Sequence, residues 1–238
     1  MISLSEVTQL FVADGWLNAL LQGAVVTLQI SAGAFVLGLG IGLLVAMIKL
    51  KGPRWMVRLA NLYTTLYRAV PELLLILLLY YAGTDLLNMA MAAMGRDSVT
   101  VNGFIAAVLV LGIVQGAYSA EIIRGAIQAI PVGQLEAARA FGIERWLLVR
   151  RVLLPSMLPF AMAGLSNLWL VLVKESALIS VVGYSELLTA GRQAAASTKH
   201  YLLFYLVVAA VYYVITLVSS MVFRKFEAGF ERWMPRNV

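Results

Sequence analysis

The chain has no cysteine among its 238 residues, which excludes disulfides, thiol nucleophiles and thiolate-held zinc. Histidine is nearly as scarce: His200 stands alone, so no histidine cluster is available for a metal. Charged residues make up only 13% against 62% hydrophobic, too little polar surface to wrap a water-facing globule around a core. No Gly-x-x-x-x-Gly-Lys-Ser/Thr loop, Gly-x-Ser-x-Gly elbow or His-Glu-x-x-His pair occurs. Phosphate cradling, acyl transfer and zinc hydrolysis therefore lack their residues. The opening MISLSEVTQLFVADGW holds Glu6 and Asp14 and no Lys or Arg, so it lacks the basic start of a cleaved signal peptide. Residues 1–18 read instead as a retained segment lying at a membrane interface.

What is abundant is long apolar sequence. A bilayer-crossing helix needs about 20 mainly apolar residues. Uncharged windows of about that length run from Trp16 to Ile48, Val99 to Ala120, Ser156 to Val173 and Tyr201 to Phe223. A fifth, Leu59 to Thr84, is interrupted by Arg68 and Glu72. The first exceeds one crossing and predicts either an interfacial lead-in before Gly23 or a tilted helix. Gly33, Gly38, Gly40 and Gly42, with Gly112 and Gly116, read as positions where helix backbones approach closely. The whole is an all-α membrane protein with one domain over 19–223 and a tail over 224–238.

The net charge of +6 does not imply nucleic acid, because the basic residues fall between the apolar windows. Lys49, Lys51, Arg54 and Arg58 follow the first, Arg124, Arg139, Arg145, Arg150 and Arg151 the third, and Arg224, Lys225, Arg232 and Arg236 the fifth, thirteen in all. The other side holds four: Arg96, Lys174, Arg192 and Lys199. Basic residues accumulate in the cytoplasm, so the expected topology is N-terminus outside, five crossings and C-terminus cytoplasmic.

A polar cassette, EAARAFGIERWLLVRRVLLP, lies in one of the cytoplasmic stretches. Pro131 suits a helix start, and Glu136 is placed to favour the positive end of that helix. Ala137, Ala138 and Ala140 give high helix propensity with little bulk. Gly142 can take the left-handed conformation that stops a helix, and Pro155 reads as the stop of a second. Residues 131–155 thus form a helical hairpin.

The order Glu136-Ala137-Ala138, Gly142, Val152 and Leu154-Pro155 resembles the EAA signature of the membrane subunits of binding-protein-dependent ABC importers, with Val152 standing where isoleucine is usual. Tyr118, Glu121, Arg124, Gly125, Pro131, Gly133 and Gln134 are similar to the polar amino acid permease subfamily, as are Arg68-Ala69-Val70-Pro71 and Lys174-Glu175-Ser176-Ala177-Leu178. The resemblance implies a type I importer transmembrane domain in a bacterial inner membrane, surrounded by lipid. The hairpin would supply coupling helices seated in a cytoplasmic ATPase, with Glu136 meeting a basic group there and Gly142 setting the angle between the helices. Implied partners are a second permease subunit (a sister chain or another copy), two ATPase subunits carrying ATP and Mg, and a periplasmic or surface-tethered amino-acid-binding protein. This chain would hold no cofactor and catalyse nothing.

Charges inside the bilayer cost ~2.5 to 3.5 kcal/mol and normally face a partner or a water-filled path. Arg68 and Glu72, four residues apart, read as one helical turn on one face, either a structural pair or part of the translocation path. Pro71 loosens that turn. Lys174 and Glu175 read as cavity lining or as a snorkelling interfacial pair, and Asn167 as a bond to another helix or to ligand. Ala177, where many relatives have Ser, leans the cargo toward histidine, lysine, arginine, ornithine or opines, with Glu72 and Glu175 as the available acids. Neutral or acidic amino acids are the alternative cargo. An ion-coupled secondary transporter or channel is the alternative class.

Overall fold

The computed structural model describes residues 9–13, 15–98 and 102–231, and those residues contain helices and turns but no strand. The start of the third window at Val99 lies outside the described residues, as do residues 1–8 and 14 of the N-terminal segment and 232–238 of the tail. After a π-helical turn at Gln9–Ala13, the chain forms α1 (Trp16–Lys51), α2 (Arg54–Ala69), α3 (Glu72–Ala93) and α4 (Gly103–Gln128). There follow α5 (Val132–Ala140), the short α6 (Arg145–Leu148), α7 (Leu154–Glu175), α8 (Leu187–Thr198) and α9 (Tyr201–Glu231). Among the described residues, five helical stretches are long and apolar enough to cross a membrane, one in each predicted window.

α1 is a single 36-residue helix, so the lead-in before Gly23 is not a separate element. At 1.5 Å per residue it is ~54 Å long, more than a straight crossing needs. Its main partner is α4. A Cβ built on Gly38 would meet Gln115 at 3.0 Å, and one on Gly42 would meet the Ser119 Cβ at 2.5 Å. Those glycines let the two backbones close. Gly40 departs from the expectation, since a Cβ added there would meet nothing within 4 Å.

The largest departure is the second window, which is not one helix. α2 ends at Ala69, Val70 is extended (φ −94°, ψ 140°), and α3 starts only after Pro71. Proline disfavours the helical conformation of the residue before it and has no amide to bond back into the preceding turn. Arg68 and Glu72 therefore belong to different helices, and the predicted pair on one helix face is replaced by two chain ends flanking a break. α2 is amphipathic: Trp55, Leu59, Leu62 and Leu66 are exposed along one stripe, while Ala60 and Thr64 are buried.

Pro155 also differs from expectation, because it does not stop the second hairpin helix. It sits in the first turn of α7, and a widened π turn over Val149–Leu153 joins α6 to α7. Helix α8 has no counterpart among the predicted windows. It packs on α1 and α9, where Leu20, Leu187, Ala194 and Phe204 form a buried cluster.

Candidate functional site

The break between α2 and α3 brings sequence-distant polar groups together. Glu72 begins α3, and its Oε1 accepts a hydrogen bond at 3.3 Å from the Tyr118 hydroxyl of α4. Glu175, at the end of α7, lies close enough to Glu72 for the two carboxyl groups to act on one another electrostatically. Arg68 and Glu175 are both close enough to Tyr118 to act on it electrostatically. Three helix ends and the middle of a fourth helix thus meet at Arg68, Glu72, Glu175 and Tyr118. In the sequence, Tyr118 stands out only as part of a family pattern. Lys174 is exposed, and so is Asn167, eight residues before Glu175 along α7 or ~12 Å away, with no polar partner among the described residues.

At one end of the bundle, Glu121 of α4 ties three elements. Its Oε1 pairs with Lys49 of α1, which also donates to the Thr64 hydroxyl of α2. Its Oε2 takes the Arg124 Nε at 3.0 Å and Nη2 at 2.8 Å. A two-pronged arginine–carboxylate contact fixes geometry as well as charge.

The hairpin follows directly from α4. α5 starts after Pro131 and ends in a left-handed Gly142 (φ 68°). The Gly142 amide donates to the Arg139 carbonyl at 2.9 Å and the Ile143 amide to the Ala138 carbonyl at 3.2 Å, the paired bonds of a glycine-ended helix. Ala138 is buried, whereas Glu136, Ala137, Gly142 and Pro155 are exposed. Glu136 is the fifth residue of α5, past the first turn, so the helix start does not stabilise it as expected. Beside it the hairpin leaves Val132, Phe141 and Trp146 bare, with Phe141 86% exposed. Large bare side chains on a polar hairpin are what a protein partner covers.

Sequence reasoning missed Glu186, which is fully buried at the start of α8. Its carboxylate accepts from the Leu188 and Thr189 amides at 2.8 Å each and from the Tyr212 hydroxyl of α9 at 3.0 Å. Thr27 of α1 adds a longer contact at 3.4 Å. The available signal was an acid after a left-handed Gly183 and before the small-residue helix LLTAGRQAAAST, the position of a helix cap.

Residues 38–232 match the family described as the inner membrane component of binding-protein-dependent transport systems. The chain belongs to that family. It is a multi-pass membrane transport subunit and not an enzyme. It is 38% identical over 222 residues to the histidine/lysine/arginine/ornithine transport system permease protein HisQ of Escherichia coli (strain K12), covering 92% of this chain and 97% of that one. It is 36% identical over 229 residues to the octopine transport system permease protein OccQ of Rhizobium meliloti, covering 96% and 97%. Among solved structures it resembles an amino acid ABC transporter crystallised with histidines, with a TM-score of 0.74 and 30% identity over 91% of this chain and 96% of that one. An inward-facing MetNI methionine ABC transporter shares the fold at 21% identity, with a TM-score of 0.62 over 88% and 94%.

Proposed function

We propose that this permease subunit forms half of the pore of an ATP-driven importer for cationic amino acids. The observation that carries the cargo assignment is that Glu72, which accepts from Tyr118, has Glu175 as an electrostatic neighbour. Two acids at one point repel when both are charged, and a cationic side chain between them removes that repulsion. Arg68, at the free end of α2, offers a planar fork for the cargo's α-carboxylate. Relatives named for histidine, lysine, arginine, ornithine and octopine transport agree with that chemistry.

Energy comes from elsewhere, since the chain has no phosphate loop. The exposed hairpin of α5 and α6 is the coupling element. The thirteen-to-four excess of basic residues puts it in the cytoplasm, with the N-terminus outside. Glu136 and Gly142 seat it in one of two ATPase subunits, which hold ATP and Mg, and their closure turns two permease subunits from inward-open to outward-open. A binding protein outside delivers the cargo.

The test is reconstitution with the co-encoded partners and measurement of binding-protein-stimulated ATP hydrolysis. Arginine, lysine, histidine and ornithine are expected to support stimulation and uptake. Preference for glutamate or glutamine sinks the cargo assignment. Uptake that persists without ATP while an ion gradient is intact sinks the importer mechanism. Glu136→Ala or Gly142→Pro should leave membrane insertion intact and uncouple hydrolysis from uptake. Undiminished uptake in both would remove the hairpin from the mechanism.

A further inference from the structure

At the hairpin end of the bundle, α1, α2 and α4 enclose a cleft of about 310 Å³, within the ~300–1,000 Å³ range of small-molecule sites. Its charged lining is Lys49, Arg68, Arg124 and Glu121, three cations against one acid. The acid is already spent: one oxygen is on Lys49, and the other accepts both Nε and Nη2 of Arg124. Guanidinium carries five N–H donors. Arg124 uses only part of its set, on Glu121 and, through Nη1, on the Gln128 Oε1 at 2.8 Å. With that oxygen occupied, Gln128 has its NH₂ end left to offer. Arg68 has no hydrogen-bond or ion-pair partner among the described residues. Asn61 and Thr65 complete the polar wall. The cleft is electropositive, rich in unused donors and has no unspent acid.

The geometry points to an oxyanion site here, whose ligand is the α-carboxylate of a free amino acid held between Arg68 of α2 and Arg124 of α4. The identity of the ligand rests on the importer reading; the oxyanion chemistry does not. A phospholipid phosphate has the same chemistry, but the cleft offers an acyl chain only Leu50 and Val57. The apolar stripe of α2 lies elsewhere: at 100° per residue, Leu62 and Leu66 fall on the far side of the helix from Asn61, Thr64 and Arg68. The site is thus a resting place for cargo on the hairpin side, distinct from the Glu72–Glu175 pair and sharing only Arg68 with it.

The absence of native cysteine makes a local probe simple. Thr65→Cys in the full chain, held in phosphatidylcholine nanodiscs, can be modified by N-ethylmaleimide and the rate followed by mass spectrometry. Saturating L-arginine, and acetate at higher concentration, should each slow modification about fivefold, as occupancy at several times Kd requires. Agmatine, which is arginine without its carboxylate, should not. Protection should disappear with Arg68→Gln added and survive Glu175→Gln, which touches only the other cluster. Protection by agmatine equal to that by arginine, or no protection by any solute, overturns the proposal. So does a slow rate in phosphatidylglycerol discs without solute that arginine cannot lower further, which assigns the site to a lipid headgroup. The labelling needs no ATPase, so it can fail while binding-protein-stimulated hydrolysis succeeds, and the reverse.

Discussion

Two of the bundle's carboxylate centres are built in opposite ways. Glu186 is fully buried, and its polar neighbours among the described residues are donors: two amides and the hydroxyls of Tyr212, Thr27 and Thr189. Glu72 and Glu175 are only partly buried, and each has the other acid as an electrostatic neighbour, with Tyr118 the hydroxyl that donates to Glu72. Both centres lie within or beside membrane-crossing helices. An acid inside a membrane protein is therefore not a transport residue by default. The donors around it tell whether it is already satisfied or still has room for a cation.

The contrast breaks most directly at Glu186. Glu186→Ala strands the Leu188 and Thr189 amides and the Tyr212 hydroxyl, a loss of about 3 kcal/mol or more at 1–3 kcal/mol for each unsatisfied group. Poor yield and a much lower unfolding midpoint in detergent are expected, and a variant that melts like the parent would show that the knot is not structural. Glu175→Gln should do the reverse. Its midpoint should stay put while arginine uptake falls about tenfold or more, as losing a charge-assisted contact worth ~1.5–3 kcal/mol implies. A shifted midpoint with normal uptake would move Glu175 into the class of Glu186.

Packing provides a third point of comparison. Gly42→Ala forces a Cβ against Ser119 and should cost about 1–3 kcal/mol. Gly40→Ala meets nothing and should be neutral or stabilising by up to ~1 kcal/mol. Thermal unfolding of the two variants side by side checks this. The smallest effect on transport is expected at Tyr118→Phe, which removes one 3.3 Å hydrogen bond. Worth ~0.5–1.5 kcal/mol, its loss should raise the uptake KM a few-fold without changing ATP hydrolysis in the absence of cargo.

Much of the architecture was legible in the sequence because it depends on local pattern. Apolar length marks all five crossing stretches, and Gly142 closes α5 as its position suggests. Pro71 does more than loosen a turn, because Val70 can leave the helix only where the surroundings accept two separate ends. Pro155 does less than its type suggests, since the first turn of a helix tolerates a missing amide hydrogen. The cluster at Glu72 is half visible in the sequence: its acids stand out, but the role of Tyr118 and the proximity of the acids do not.

Composition and the length of its apolar windows alone determined that this chain belongs in a bilayer, carries five stretches long and apolar enough to cross it and holds no phosphate-loop motif. Those properties follow from solvation and segment length, which each stretch carries by itself. Tertiary structure decided which glycines are seams, which acids are satisfied and which face one another. Thr27 meets Glu186 across 159 residues and Lys49 meets Glu121 across 72. No local pattern encodes such pairings, because the hydrogen bonds that distinguish a cap from a cargo contact exist only once distant helices have packed.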